Sequence, residues 1–308
     1  SIMTHGLHYG TAVFEGIRGN WNQEEGQTYL FRVQEHYQRL LNNCRVVRMS
    51  VPYTVDDLTR ITTELARKEG LREDLYVRPI VYTSSEALWV RLHQVECDVA
   101  IFIIPWGPYL DPDKGARCCI SSWRRPDDTM IPPGAKICGF YVNSALARTD
   151  AFYKGFDESI IETRDGFVSE GSGENIFLVS RGQLITPPTY DSILMGITRD
   201  SVIQLARNEL GMETVERHFR RTEMLMAEEC FFTGTAAHIN AVVEVDNYKI
   251  GDGSTGKVTR KLQKLYFDAI YGRNPRYKHW CTPVYPPKKA KGRAGRARPH
   301  QGARSLSR

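Results

Sequence analysis

Short apolar runs broken by glycine and proline turns, interleaved with a few segregated stretches of helical period, restrict this chain to a mixed α+β architecture. Strand-like runs fall at 28–32, 75–83, 98–105, 116–123, 158–163, 166–168, 175–179, 230–232 and 241–245, with Asp165-Gly166 as a hairpin turn. Helical spacing is confined to other stretches. Tyr37, Leu40, Leu41, Cys44 and Val47 line one stripe of 34–49, and 55–69, 143–153, 198–210 and 257–271 have the same character. Residues 4–19 are glycine-punctuated and read as a tight loop followed by a short strand. A doubly wound parallel sheet would alternate strand with helix throughout, and this chain does not.

A length of 308 residues suits one large domain or two of ordinary size. Gly107, Pro108, Asp111, Pro112 and Asp113 concentrate turn formers, so 107–115 is read as a linker. It separates a small N-terminal domain, 1–106, from a larger one, 116–286. Residues 287–308 form a basic tail expected to be disordered: eight Lys or Arg lie there with no acid, and the formal charge of +5 leaves 5 − 8 = −3 for the remainder. The body does not interleave basic and aromatic residues as a single-strand platform does, so nucleic acid is not an expected partner. Neither a signal peptide pattern nor an apolar run long enough for a membrane span is present, which makes the cytoplasm the expected compartment. The seven scattered cysteines read as reduced thiols, and the histidines lack metal-ligand spacing, so no catalytic metal is expected.

Lys136 stands out chemically. From Met130 to Ala147 it is the single charged residue, set among Gly134, Ala135, Ile137, Cys138 and Gly139. A desolvated lysine has its pKa pushed down, and the free amine can attack a carbonyl to form a Schiff base. The alternative is a lysine that snorkels to water from a strand edge. Three further stretches bear on the choice. In 169–177, S-E-G-S-G-E-N-I-F, Glu170 and Glu174 bracket a Gly-Ser-Gly loop. In 194–200, L-M-G-I-T-R-D opens a helix whose first amides and dipole favour an anion. In 232–237, F-T-G-T-A-A offers close backbone approach and two hydroxyls after a strand. A lysine, a carboxylate and anion-binding turns together fit pyridoxal 5'-phosphate, which needs a Schiff-base amine, a partner for its ring nitrogen and a phosphate cradle.

The chain resembles the fold-type IV pyridoxal-phosphate enzymes, and among them the branched-chain amino acid aminotransferases. The matching motifs are H-Y-G-T-A-V-F-E-G-I-R (8–18), Q-R-L (38–40), Y-V-R-P (76–79), P-W-G-P-Y (105–109), A-K-I-C-G-F-Y-V-N-S (135–144), S-E-G-S-G-E-N-I-F (169–177), G-I-T-R-D (196–200) and G-T-A-A (234–237). The resemblance implies a small α/β domain beside a larger β-rich pseudo-barrel with flanking helices. It implies that Lys136 carries the cofactor and moves the proton, that Glu170 pairs with the pyridine nitrogen, and that Tyr141 bonds the ring oxygen. Arg39, the amides of Ile197 and Thr198, and the Thr235 hydroxyl are implied to hold the phosphate. The turn Thr235-Ala236-Ala237 and Tyr76 would receive the substrate carboxylate, and Phe14, Trp106, Tyr109 and Tyr141 would line the side-chain pocket. Arg78 would bind a distal carboxylate, and Tyr9 would enter from a second subunit, so at least a homodimer is implied. Glu174 and Asn175 are expected to be structural. Relatives usually carry a further N-terminal strand, and the basic tail has no counterpart among them.

The function expected on this resemblance is transfer of the amino group of L-leucine, L-isoleucine or L-valine to 2-oxoglutarate. The alternatives are another fold-type IV enzyme (a D-amino acid or (R)-amine transaminase, or aminodeoxychorismate lyase), a nucleic-acid-binding protein acting through its tail, and a relative that has lost its cofactor.

Overall fold

The computed structural model of the protein describes residues 1–107 and 114–286. The expectations for Tyr109, most of the linker and the basic tail therefore fall outside the described residues. The chain begins with α1 (His5–Tyr9), β1 (Ala12–Phe14), β2 (Ile17–Asn22), β3 (Gln27–Phe31), α2 (Val33–Val46), α3 (Val55–Glu69), β4 (Leu75–Thr83) and β5 (Cys97–Pro105). Where a loop is expected at the start, a short helix forms and stops at Gly10, whose φ of 64° a side chain would strain. Thr54 and Asp57 close a capping box at the start of α3, and Gly70 ends it in the left-handed conformation, as the sequence boundaries 55–69 anticipate.

β1 and β2 lie end to end along one edge of β4, with Phe14 opposite Ile80 and Ile17 opposite Val77, and β5 covers the other edge. Glu15 and Gly16 are thus a break in an otherwise continuous antiparallel strand. Helices α2 and α3 bury Tyr37, Leu40 and Leu58 against Val13, Leu30 and Val81 of this sheet.

The second unit comprises β6 (Ala116–Arg124), a 3-10 turn (Cys138–Phe140), α4 (Tyr141–Tyr153), β7 (Glu158–Glu162), β8 (Val168–Gly171), β9 (Asn175–Ser180) and β10 (Gln183–Thr186). It continues with α5 (Ile197–Leu210), β11 (Thr214–Glu216), α6 (Arg221–Leu225), β12 (Glu229–Gly234), β13 (His238–Val245), β14 (Tyr248–Lys249) and α7 (Lys257–Ile270). Its sheet runs β11-β10-β9-β12-β13-β6-β7-β8, and β8 returns to pair with β9 through Glu170 opposite Asn175. The strands from β9 round to β8 therefore close on themselves, the barrel-like form that the family resemblance implies. β9 is buried on both faces, which explains its unbroken apolar run: Phe177 and Val179 join α5 and α7 in one core, and Ile176 and Leu178 face another with Phe232 and Val242.

Stretch 116–286 does not stay in one sheet. The last strand, β15 (Cys281–Pro283), crosses back and pairs antiparallel with β3 of the small unit, Cys281 opposite Phe31. Val284 follows it fully buried in the small unit's core. The lysine stretch is tied to the same unit: Val13 bridges Ile137, and the Phe14 N–H donates to the Lys136 carbonyl at 3.1 Å. Among the described residues no helix is long and apolar enough to cross a membrane, and no group of His, Cys, Asp or Glu could hold a metal ion.

Candidate active site

Between the two units lies a cavity of about 460 Å³. Its walls include Phe14 and Gly16 from the β1–β2 break, Arg39 from α2, Tyr76 and Arg78 from β4, and Trp106 beyond β5. From the larger unit come Lys136, Tyr141, Ile197 and Thr198, and the turn residues Thr235 and Ala236. Eleven of the residues singled out from sequence thus meet in one space, although they span 14 to 236 in the chain. Ala237 is buried behind its turn, and Tyr9 does not line the cavity but sits against His5, ring centroids 4.7 Å apart.

Lys136 sits at the base of the cavity, with its Nζ donating to the Tyr141 hydroxyl at 2.5 Å and lying 4.8 Å from the Phe14 ring centre. Its sequence neighbours are small or apolar, but not all the groups that meet it in space are, and the expected downward pKa shift is not what results. Burial does oppose the charge, yet Tyr141 and Glu15 outweigh it, and the net shift is upward. Backbone position is fixed as well. The Asn43 amide, oriented to satisfy both neighbours, accepts from the Lys136 N–H at 3.1 Å and donates to the Arg39 carbonyl at 3.2 Å.

Arg39 faces the cavity rather than solvent because Glu15 holds it there. Its Nε and Nη2 donate to the two Glu15 oxygens at 2.6 and 2.8 Å, a bidentate fork, and its Nη1 donates to the Met195 carbonyl at 2.7 Å. Glu15 is fully buried and also accepts from His36 Nδ1 at 2.7 Å. Burial raises the Glu15 carboxyl, but the Arg39 and His36 charges and hydrogen bonds hold it well below the usual carboxylate range. Opposite Arg39, Gly196 caps α5, whose first amides have no intrahelical acceptor. A Cβ on Gly196 would come within 2.0 Å of Asn175 Oδ1, so the helix start can approach this closely only as glycine.

Glu170 lies in a separate small cavity beneath, which shares Lys136, Tyr141 and Leu194 with the larger one. One oxygen accepts from Arg125 Nη2 at 2.8 Å, and the other from Asn175 Nδ2 at 3.0 Å and the Leu194 N–H at 3.1 Å. Burial pushes this carboxyl up while Arg125 opposes the shift. Glu174 and Asn175 both border the main cavity, closer to the site than expected. On the far wall Arg78 donates to the Tyr76 hydroxyl at 2.8 Å and lies over the Phe14 ring at 4.5 Å. Gly16 makes room for that tyrosine: a Cβ there would meet its hydroxyl at 2.3 Å. An amine, two cationic guanidinium groups and a helix N-terminus around one space, with a buried carboxylate in the small cavity adjoining it, can bind a doubly anionic group and a carboxylic acid together.

Residues 12–245 match the family described as amino-transferase class IV. The chain belongs to that family. Among curated class IV amino-transferases it is 50% identical over 285 residues to the probable branched-chain-amino-acid aminotransferase of Aquifex aeolicus, covering 92% of each chain. Among solved structures, the branched-chain aminotransferase of Thermoproteus uzoniensis with norvaline superposes with a TM-score of 0.89 at 41% identity, covering 92% of this chain and 94% of that one. The branched-chain amino acid aminotransferase of Thermobaculum terrenum in its PLP-form gives 0.88 at 37% identity, with 92% and 93% covered.

Several site residues of this class IV amino-transferase escape sequence reasoning. Glu15 lies inside the matched H-Y-G-T-A-V-F-E-G-I-R motif but carries no evident role there, because its partners His36 and Arg39 belong to another element. Arg125 follows Arg124 in a surface-like W-R-R-P run, yet its side chain is 2% exposed. A proline immediately after, ending the strand and turning the chain inward, is the one local signal.

Proposed function

We propose that this chain is a pyridoxal-phosphate-dependent transaminase that moves the amino group of L-leucine, L-isoleucine or L-valine to 2-oxoglutarate. The observation that carries the reading is a half-buried lysine amine whose neighbours in the cavity are a phenol, an Arg held in a fork and a free helix start. The space fits the cofactor. The Thr233 hydroxyl and Trp106 Nε1, both of residues on the cavity wall, are buried without a described partner, and Gly196 and Gly16 keep open volume that a Cβ would fill.

Bound pyridoxal phosphate supplies an electron sink that lets an amino acid lose its Cα proton. The chain's own groups do the rest. Lys136 Nζ is the amine that would hold the cofactor, and it is the base that would take up and return the Cα proton. Its raised pKa means that a proton must leave before the amine can act, and the Tyr141 hydroxyl oxygen, accepting from Nζ at 2.5 Å, holds the amine in place. Tyr141 would bond the cofactor's ring oxygen, and Glu170, oriented by Arg125 and Asn175, would pair with its ring nitrogen. Arg39, the Ile197 and Thr198 amides and the Thr235 hydroxyl receive the phosphate. Tyr76 and the Thr235-Ala236-Ala237 turn bind the α-carboxylate, and Phe14 and Trp106 exclude water around a branched side chain; Tyr109, expected beside them from the sequence, lies outside the described residues. Arg78 binds the distal carboxylate of glutamate, so one pocket serves both half-reactions. Tyr9, which does not line the cavity within one chain, completes it from a second subunit in a homodimer or larger homo-oligomer, and the cytoplasm is the compartment. The division into 1–106 and 116–286 is kept for the two halves of the site, with β15 crossing between them.

A visible absorption spectrum of the purified holoenzyme, taken before and after L-leucine, tests this. The expected result is a Schiff-base band that is lost with L-leucine and restored by 2-oxoglutarate, and is missing in Lys136→Ala. A band indifferent to L-leucine but responsive to D-alanine or (R)-1-phenylethylamine would transfer the assignment to another fold-type IV activity.

A further inference from the structure

Lys136 lies outside every helix and strand, in the segment between β6 and the 3-10 turn of the larger unit. Its main-chain N–H and C=O therefore have no ladder to join and must be satisfied elsewhere. Both are taken up by the small unit. The carbonyl accepts from the Phe14 N–H of β1 at 3.1 Å. The N–H donates to the side-chain oxygen of Asn43 at 3.1 Å, and the Asn43 amide nitrogen donates to the Arg39 carbonyl at 3.2 Å.

Asn43 stands on α2 one turn beyond Arg39 and is 4% exposed. Its neighbours on the buried stripe, Leu40 and Cys44, fill space with apolar groups, and a leucine at 43 would do the same. An amide there costs free energy unless its atoms find partners. The partners it has are the carbonyl of the arginine held in the Glu15 fork and the N–H of the lysine. Asn43 itself does not line the cavity. The lysine and the arginine thus belong to different units and are tied by one side chain.

We propose that Asn43 is a positioning residue, which sets where the Lys136 amine stands relative to the anion seat at Arg39. This rests on the reading of Lys136 as the cofactor amine and the proton-transferring base. The Phe14 bond is main-chain and survives side-chain replacement, so Asn43 is the half of the anchor that a substitution can remove. Without it the lysine segment keeps its hold on one side and shifts on the other, while Arg39 stays in its Glu15 fork. The consequence falls on proton transfer, which depends steeply on the placement of the base, and spares the seats for phosphate and substrate carboxylate.

Two measurements on wild type, Asn43→Leu and Asn43→Ser test it; serine is too short to reach both partners. Amide hydrogen exchange on a peptide spanning 134–138 comes first, because it needs no turnover. In Asn43→Leu the Lys136 N–H, having lost its acceptor, should exchange about tenfold faster or more. The second is the single-turnover loss of the Schiff-base band when holoenzyme meets L-leucine. Its rate should fall about tenfold or more, and α-deuterated L-leucine should slow it further, since proton transfer limits it. The Kd for L-leucine, read from the concentration dependence, should stay within about twofold, and cofactor retention on dialysis should match wild type. Asn43→Ser should lie between the two. Unchanged exchange, an unchanged rate, or a rate lost wholly through weaker L-leucine binding overturns the proposal. If Asn43→Leu does not fold, Asn43→Ser decides by the same pair of readings. A wild type without a leucine-sensitive band would sink the functional reading instead, so the two failures are distinguishable.

Discussion

At the scale of single residues, the site is governed by buried charges whose partners come from distant elements. Arg125 is the clearest case. Its guanidinium bonds Glu170, the Ser144 hydroxyl at 2.8 Å and the Gly171 carbonyl at 2.9 Å, and lies over the Phe140 ring. Removing it leaves Glu170 buried without its cation. Arg125→Met is therefore expected to lower the unfolding free energy by about 3–5 kcal/mol in urea titrations. Adding Glu170→Gln to that variant should restore a good part, since a neutral amide costs far less to bury than an unpaired charge. A fall of less than about 1 kcal/mol, typical of an exposed pair, would show that the pair is not buried in solution.

Glu174 poses the opposite problem. It is 4% exposed, and burial first, then the fully buried Glu158 beside it, raise its pKa from 4.5 to about 8; the Gly173 N–H and Arg148 oppose this. The folded state therefore keeps a proton that the unfolded chain releases. Linkage gives a stabilising contribution that is complete below about pH 4.5 and is lost as pH rises through about 8. Glu174→Gln, permanently neutral, should flatten the fall in stability across that window. Thermal melting of both proteins from pH 5 to 8 checks it, and parallel slopes would refute the assignment.

At the scale of elements, close approach is what organises the site, and glycine is its instrument. Gly196 starts α5 against Asn175, whose amide nitrogen serves Glu170 and the Leu194 carbonyl together. Gly196→Ala would displace Asn175 and with it the carboxylate and the helix start. Cofactor affinity should weaken about tenfold or more, read by titrating pyridoxal phosphate into apoenzyme and following the visible band. Undiminished affinity would mean that the helix start is not the phosphate site. Such elements were largely legible beforehand. α3 and β4 have the limits expected from their caps and apolar runs, and Lys136, Glu170 and the anion-binding turns stood out by local composition alone. Illegible were the pairings of Glu15 with Arg39 and of Arg125 with Glu170. Each joins residues on different elements, and nothing in residue spacing reports which buried acid meets which buried base. The lysine's pKa direction is hidden from the sequence for the same reason, because the groups that outweigh burial include Glu15 from the other unit.

For the whole molecule, the last described segment matters more than its length suggests. After Trp280 the chain leaves the helices of the larger unit and adds β15 to the edge of β3. The Val284 N–H donates to the Thr28 carbonyl at 3.0 Å, and its own carbonyl accepts from Arg67 Nε at 2.9 Å. Gln27 clasps Tyr285 through both its amide atoms, at 2.8 Å each, and the Tyr285 hydroxyl donates to the Leu71 carbonyl at 3.1 Å. Val284 is fully buried, so burying that side chain alone is worth roughly 1.5–3 kcal/mol. These contacts bind the small unit to a chain anchored by Tyr277 and Trp280 in the core of the larger one. A chain ending at Trp280 would leave the β3 edge open and the small unit's core short of one residue. The two units, sharing one cavity but holding separate cores, should then melt apart: urea unfolding should change from one transition to two, with the small unit first. A chain ending at Pro286 provides the control and should unfold as the full chain does. If the chain ending at Trp280 still unfolds in one step at an undiminished midpoint, the cavity interface alone couples the units, and Arg32, whose Nη1 donates to Asp200 Oδ2 at 2.6 Å and to Ser201 Oγ at 2.9 Å across it, becomes the contact to remove next.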